Sequence, residues 1–175
     1  MIVEITRNPI FQLFIKKNKY KNIDSIIEAI IAMSKTYCGA IIIFPQTQDV
    51  SMSIIDAGVP INAIASKEMI LSIFNTKSPL HDGAIIINDK LQITEARCVL
   101  PLSSTRQIGN RVLGTRHRAA LGLTEKIDAV AVVVSEETGT ISIAHSGRFE
   151  IGISNESIKE KLFEEFSNAD VKLNL

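Results

Sequence analysis

The sequence predicts one α/β domain, a central mixed β-sheet flanked by helices on both faces. Three observations carry that expectation. Apolar, β-branched runs such as Gly39–Phe44 and Ala129–Val134 are too short for helices and unbroken by polar residues, so they read as strands covered on both sides. Segments with apolar residues three and four positions apart alternate with those runs. At least two tight turns join neighbouring strands, which argues against a purely parallel sheet. The 175 residues are 46% hydrophobic and 22% charged, enough for one buried core and too apolar for a disordered chain.

Residues 1–21 read as an N-terminal, weakly patterned helical arm, with Ile5, Ile10, Phe11, Phe14 and Ile15 available to dock. The main domain is expected over 22–167. Its first helix spans Asp24–Thr36, with Ile23, Ile26, Ile27, Ile30 and Ile31 on one face and Asn22 or Asp24 as the cap. Gly39–Phe44 is the first strand, and Pro45–Val50 turns the chain. Ser66 caps a second helix that turns Met69, Ile70, Ile73 and Phe74 inward. A loop broken by Pro79 leads to the strand Ala84–Ile87. The turn Asn88–Asp89–Lys90 then returns the chain as Leu91–Val99. Thr115–Thr124 is a helix, Ala129–Val134 a strand, and Glu136–Gly139 a turn into Thr140–His145. A last helix from about Asn155 to Phe166 buries Ile158, Leu162, Phe163 and Phe166. The tail, 168–175, is expected to fray.

Composition excludes several functions. Lys plus Arg and Asp plus Glu are 19 each, so the net charge is zero and no general nucleic-acid binding is expected. No apolar run approaches the roughly 18 residues that would cross a bilayer, and the N-terminus lacks a signal-peptide pattern. Cys38 and Cys98 read as buried small hydrophobes in a reducing compartment. Phosphate-loop and dinucleotide fingerprints are missing, and no Ser or Cys has a nucleophile's context. His145 and Asp56 read as structural, Asp56 in a turn.

Three segments carry possible chemistry. In Ser78–Ala84, His81 and Asp82 precede a buried strand and Gly83 follows. A His-Asp pair at a strand end can ligate a metal or move a proton, and Gly83 allows close backbone approach or a positive φ. Taken alone the segment reads first as an Asp-Gly turn. In Gly109–Leu121, Arg111, Arg116 and Arg118 follow Arg106, and no Asp, Glu or Lys lies between Val99 and Thr124. Two arginines in a helix's first turn oppose its dipole unless an anion sits there, and guanidinium favours phosphate. The competing reading is a solvated basic face or ion pairs with distant carboxylates. In Val132–Gly139, Ser135, Glu136 and Glu137 leave a buried strand. Paired carboxylates can hold a divalent cation with His81 or Asp82, although alone this is a polar hairpin turn. Jointly the three suit a metal–phosphate substrate.

These residues also carry a family resemblance. Phe74–Ile87, Leu100–Ser103, Leu113–Ala120 and Val134–Ser142 resemble the diadenylate cyclase (DAC) domain, known by its Asp-Gly-Ala and Arg-His-Arg motifs, here Asp82–Ala84 and Arg116–Arg118. The resemblance runs from about Ile23 to Phe149 and is nearest the membrane-linked type, in which this domain follows transmembrane helices. It implies condensation of two ATP into cyclic di-AMP and two pyrophosphates, with Mg²⁺, Mn²⁺ or Co²⁺. It also implies a homo-oligomer whose transient face-to-face dimer presents one ATP from each subunit. By motif match Asp82 would assist deprotonation of the 3′-hydroxyl, with Gly83 and Arg116 completing the catalytic set. His81, Asp82 and Glu137 would hold the metal, Glu136 being the alternative carboxylate. Thr115, Arg116, His117 and Arg118 would hold phosphates, beside Gly114. Ser135 and Glu136 would add contacts, Gly83 and Ala84 would leave room for the nucleotide, and Leu100 would neighbour the adenine. The location implied is cytoplasmic, with any membrane link through segments absent from this chain.

Three other readings compete with a cyclase. One is a non-catalytic nucleotide or cyclic-dinucleotide sensor that kept the pocket. Another is a metal-dependent phosphohydrolase. The last is a domain with an incidental basic loop.

Overall fold

The computed structural model describes residues 23–46 and 49–172. The expected arm over 1–21 and the cap at Asn22 lie outside the described residues. The elements are α1 (Ile23–Lys35), β1 (Ala40–Pro45), a short 3₁₀ turn (Val50–Met52), β2 (Val59–Ile64), α2 (Lys67–Phe74), β3 (Ala84–Ile87) and β4 (Gln92–Cys98). They continue with β5 (Gln107–Ile108), β6 (Arg111–Val112), α3 (Thr115–Thr124), β7 (Ala129–Val134), β8 (Ile141–His145), β9 (Arg148–Ile153) and α4 (Ile158–Lys172). Seven strands form one sheet in the order β2-β4-β3-β1-β7-β8-β9, and β5 and β6 form a separate small hairpin. Only β1 and β3 pair in parallel within the large sheet. The expected mixed sheet with helices on both faces is therefore what forms.

Sequence pattern explains the layers. Every residue of β3 and β7 is buried, and so are the first five of β1, because helices cover both faces of the sheet's centre. Even positions of β1, such as Ile42 and Phe44, pack with α1, α2 and α4, whereas Ile41 and Ile43 face Ala120 and Leu123 of α3. Helix α1 buries Ile23, Ile26, Ile27, Ala29, Ile30 and Met33, a stripe at helical spacing. Each isoleucine so buried contributes about 2 kcal/mol. Ser66 caps α2 by accepting from the Met69 N–H at 3.2 Å. Met69 itself departs from expectation. It is more than one-third exposed, because Ile70, Ile73 and Phe74 fill the inward face.

Strands β2 and β9 escape the sequence pattern because both lie at sheet edges. In β2, Pro60 and a left-handed Asn62 (φ 52°) interrupt the pairing with β4, and four of the six residues are exposed. Strand β9 alternates exposed and half-buried positions after a tight Ser146-Gly147 turn, both residues at positive φ. His145 has the structural role expected. Its Nε2 lies 3.0 Å from Asp128 Oδ1 and its Nδ1 contacts Glu165, tying the end of β8 to α4. The Asp56 carboxylate accepts from the Gly58 N–H at 2.9 Å, which is the expected turn. Helix α4 runs on to Lys172, so the chain does not leave its helix at 168.

Candidate active site

The sheet register gathers the three segments at one end. Ile42 and Ile43 pair with Ile85 and Ile86, so Gly39 before β1 and Asp82 before β3 reach the same end of the sheet. Ala40 pairs with Val134 and Val134 with Ile141, which adds Ser135, Glu136 and Glu137 to that end. Strands β3, β1 and β7 are neighbours, so the tips carrying Asp82 and Ser135 are two strand spacings, about 10 Å, apart.

Helix α3 brings the arginines to this place. Its first intrahelical bond runs from the Arg118 N–H to Gly114 O at 3.0 Å. The N–H groups of Thr115, Arg116 and His117 therefore have no partner within the helix, and Gly114 offers no capping side chain. Arg116 Nη1 forms an ion pair with Glu136 Oε2 at 2.8 Å. The guanidinium lies directly against the backbone of Gly39. A Cβ there would stand 2.8 Å from Nη1, 2.9 Å from Cζ and 3.0 Å from Glu136 Cβ. Arg116 is thus seated on the middle strand end and paired with Glu136, whereas His81, Asp82 and Gly83 at the β3 tip do not line the cleft that Arg116 faces.

The β7–β8 turn that carries Glu136 and Glu137 is braced. Ser135 Oγ accepts from the Glu137 and Thr138 N–H groups, both at 3.3 Å. Gly139, at φ 67°, returns its N–H to Ser135 O, and its own carbonyl accepts from Ser34 Oγ of α1 at 2.6 Å. Together α3, the β5–β6 hairpin and this turn enclose a cleft of about 510 Å³. Gly114, Thr115, Arg116, His117, Ser135, Glu136 and Glu137 line it, as do Arg111 and Val112. Burial pushes His117 below the usual imidazole range, opposed by the Glu137 charge, and its ring lies 5.5 Å from Phe149.

Other expected residues are placed differently. Arg118 Nε and Nη2 both donate to Ser103 O, at 3.1 and 2.9 Å, and the residue does not line the cleft. Its guanidinium fastens the Pro101–Thr105 loop to α3. Gly83 is at φ 143° and packs on β4. A Cβ there would meet Arg97 C at 2.7 Å and Cys98 O at 2.8 Å, so the close approach is made by the chain itself. Ala84 is buried as the first residue of β3, and Leu100 is buried in the core beneath α3. Cys98 is buried as expected and its thiol is pushed up to about 12, mainly by burial. Cys38 is only half-buried. Burial raises its pKa, while Arg116 and Glu136 act on it in opposite senses.

Among the described residues, no three His, Cys, Asp or Glu side chains converge as a metal-binding group, so His81, Asp82 and Glu137 do not form a preassembled cage. Their chemistry still suits a cation completed by substrate oxygens. His81 Nδ1 lies 2.7 Å from Ser78 O and donates to it, so Nε2 is the ring nitrogen left to face a cation. Asp82 and Glu137 are exposed and make no side-chain bond among the described residues. Gly39 and Ser34 do not stand out as site residues in the sequence, and Arg111 stands out only as one of the crowded arginines. Gly39 read as the first residue of a strand, and only the arrival of Arg116 from 77 positions away gives it meaning.

Comparison with known proteins agrees with this fold. The profile of the family described as "DAC: DisA bacterial checkpoint controller nucleotide-binding" matches residues 27–149. The cyclic di-AMP synthase CdaA of Bacillus subtilis is 40% identical over 153 residues, 87% of this chain and 55% of that protein. The chain thus spans about half the length of that relative. A crystal structure of a double mutant of DacA from Staphylococcus aureus superposes with a TM-score of 0.78 at 40% identity, covering 86% of this chain and 98% of that one. A crystal structure described as a hypothetical membrane spanning protein from Bacillus cereus superposes with a TM-score of 0.70 at 37% identity, covering 77% and 64%.

Proposed function

Since the chain belongs to the diadenylate cyclase family, we propose that it condenses two ATP into cyclic di-AMP and releases two pyrophosphates. The observation that carries this reading is the seat of Arg116 on Gly39, between the tips that hold Asp82 and Glu136. It sets a guanidinium and three free helix N–H groups beside exposed carboxylates, which is what a metal-bound triphosphate needs.

In this mechanism Asp82 takes the proton from a 3′-hydroxyl, and the oxygen attacks the α-phosphorus of the facing ATP. The bond from that phosphorus to pyrophosphate breaks, and the leaving group departs opposite the attacking oxygen. The same event in the other direction closes the ring. Arg116 and the N-terminus of α3 stabilise the negative charge that gathers on the phosphates. Thr115 and Ser135 supply hydroxyl contacts. A lone protomer holds half of the reactants, so turnover requires a two-fold, face-to-face encounter of two copies. A divalent cation, when bound, would neutralise phosphate charge, and His81 Nε2, Asp82 and Glu137, or Glu136, would hold it.

Among the described residues no helix is long and apolar enough to cross a membrane. Our reading places the domain in the cytoplasm, where ATP is at hand. The experiment is incubation of the protein with ATP and Mn²⁺ and identification of the product by mass. Cyclic di-AMP supports the reading, whereas ADP and phosphate alone would replace it with a phosphohydrolase.

A further inference from the structure

We propose that Arg111, on the β5–β6 hairpin, is a further binding residue for the polyphosphate of the substrate. The inference rests on the cyclase reading for its ligand, and on the fold for its residue. The cleft is lined by two arginines, Arg111 and Arg116. Arg116 is already paired with Glu136 at 2.8 Å, and Arg118 is turned away to Ser103 O. Among the described residues Arg111 makes no ion pair and no side-chain hydrogen bond. The free guanidinium facing the cleft is therefore that of Arg111.

Its mounting suits a group that meets an incoming anion. The hairpin has two paired positions, Gln107 with Val112 and Ile108 with Arg111. It is tethered by the Leu113 N–H to Arg106 O at 2.9 Å, next to buried Leu113. Val112, four-fifths exposed, stands beside Arg111 in the cleft wall. The α3 N-terminus, three residues further along, supplies free N–H groups to the same cleft. A triphosphate in contact with those N–H groups lies within the same walls as Arg111, which can bind two oxygens side by side.

The test uses Arg111→Gln and Arg111→Lys in the full chain, with inorganic tripolyphosphate as a probe that lacks adenine and ribose. For Arg111→Gln the KM for ATP should rise roughly tenfold with kcat held within about twofold, the range for one partly exposed charged hydrogen bond. Inhibition by tripolyphosphate should weaken by the same factor, Arg111→Lys should recover part of both, and adenosine binding should not change. An unchanged KM and unchanged tripolyphosphate inhibition would overturn the assignment. Equal weakening of adenosine and tripolyphosphate would also overturn it, because that marks a distorted cleft. If the wild-type protein makes no cyclic di-AMP, the cyclase reading fails separately. The thermal shift produced by tripolyphosphate in wild type and Arg111→Gln then decides the role of Arg111, equal shifts overturning it.

Discussion

The guanidinium of Arg116 rests on the bare backbone of Gly39, with only 2.8 Å between Nη1 and the place a Cβ would occupy. This contact joins α3 to the end of β1, and it fixes the guanidinium beside Glu136 at the tip of β7. Arg116→Lys would lose the flat group that fits this seat and pairs with Glu136.

Gly39→Val tests that seat. The added carbons must displace Arg116, whose flexible end faces the cleft, and press on Glu136 Cβ. We expect kcat/KM to fall at least about tenfold, the effect of some 1.4 kcal/mol in the transition state, with the melting temperature nearly unchanged. Steady-state kinetics beside a thermal melt would expose an error here: full activity means Arg116 does not need the bare backbone.

Asp82→Asn removes the proposed base while keeping the shape. The carboxylate is exposed and makes no bond among the described residues, so the fold should not notice. Turnover should fall by about 10²–10⁴-fold, the usual contribution of a positioned base. Wild-type rates in this variant, measured as cyclic dinucleotide formed per minute, would remove Asp82 from the mechanism.

Gly122→Ala should destabilise the protein, against the ordinary rule. In an exposed helix the exchange gains up to about 1 kcal/mol. Here the new Cβ would meet Pro101 O at 2.3 Å and Ser103 N at 2.5 Å, backbone atoms of the loop that Arg118 also holds. Overpacking of this kind costs about 1–3 kcal/mol. A thermal melt should show a loss of several degrees, and a higher midpoint would mean that the loop yields freely.

Half-buried His117 and buried Cys98 each make stability depend on pH. His117 has its pKa lowered by burial, so the unfolded chain binds a proton first as pH falls below about 6.5. Stability that depends on the neutral ring is present above that pH and is lost on acidification towards the lower folded value. Cys98 has the opposite sense. Its pKa is raised from 9.0 to about 12, so its contribution is complete below pH 9 and fades as pH rises towards 12. Denaturant midpoints across pH should therefore shift less on acidification in His117→Gln, and less on alkalinisation in Cys98→Ala. Curves parallel to wild type in both variants would contradict these assignments.

The interior of the fold was legible because it is written in local pattern. Ile26, Ile27, Ile30 and Met33 mark one helix face, and the runs at Ile41–Phe44 and Ala129–Val134 mark strands buried on both sides. Edge strands were not legible. In Val59–Ile64 and Arg148–Ile153, a proline, a glycine and half-exposed side chains blur the period. The candidate site was marked in sequence by three segments, where crowded arginines and strand-end carboxylates break local rules, and two of them, the arginine segment and the Ser135–Glu137 turn, line one cleft. How the segments share contacts was not. The bond from Arg118 to Ser103, the seat on Gly39 and the brace from Ser34 to Gly139 all join distant parts of the chain.

The most direct test follows product formation from ATP and Mn²⁺ as the protein is diluted. The account predicts cyclic di-AMP and pyrophosphate in a ratio of one to two, at a rate rising more steeply than linearly with protein at low concentration. Product other than cyclic di-AMP, formed in strict proportion to protein, would contradict it.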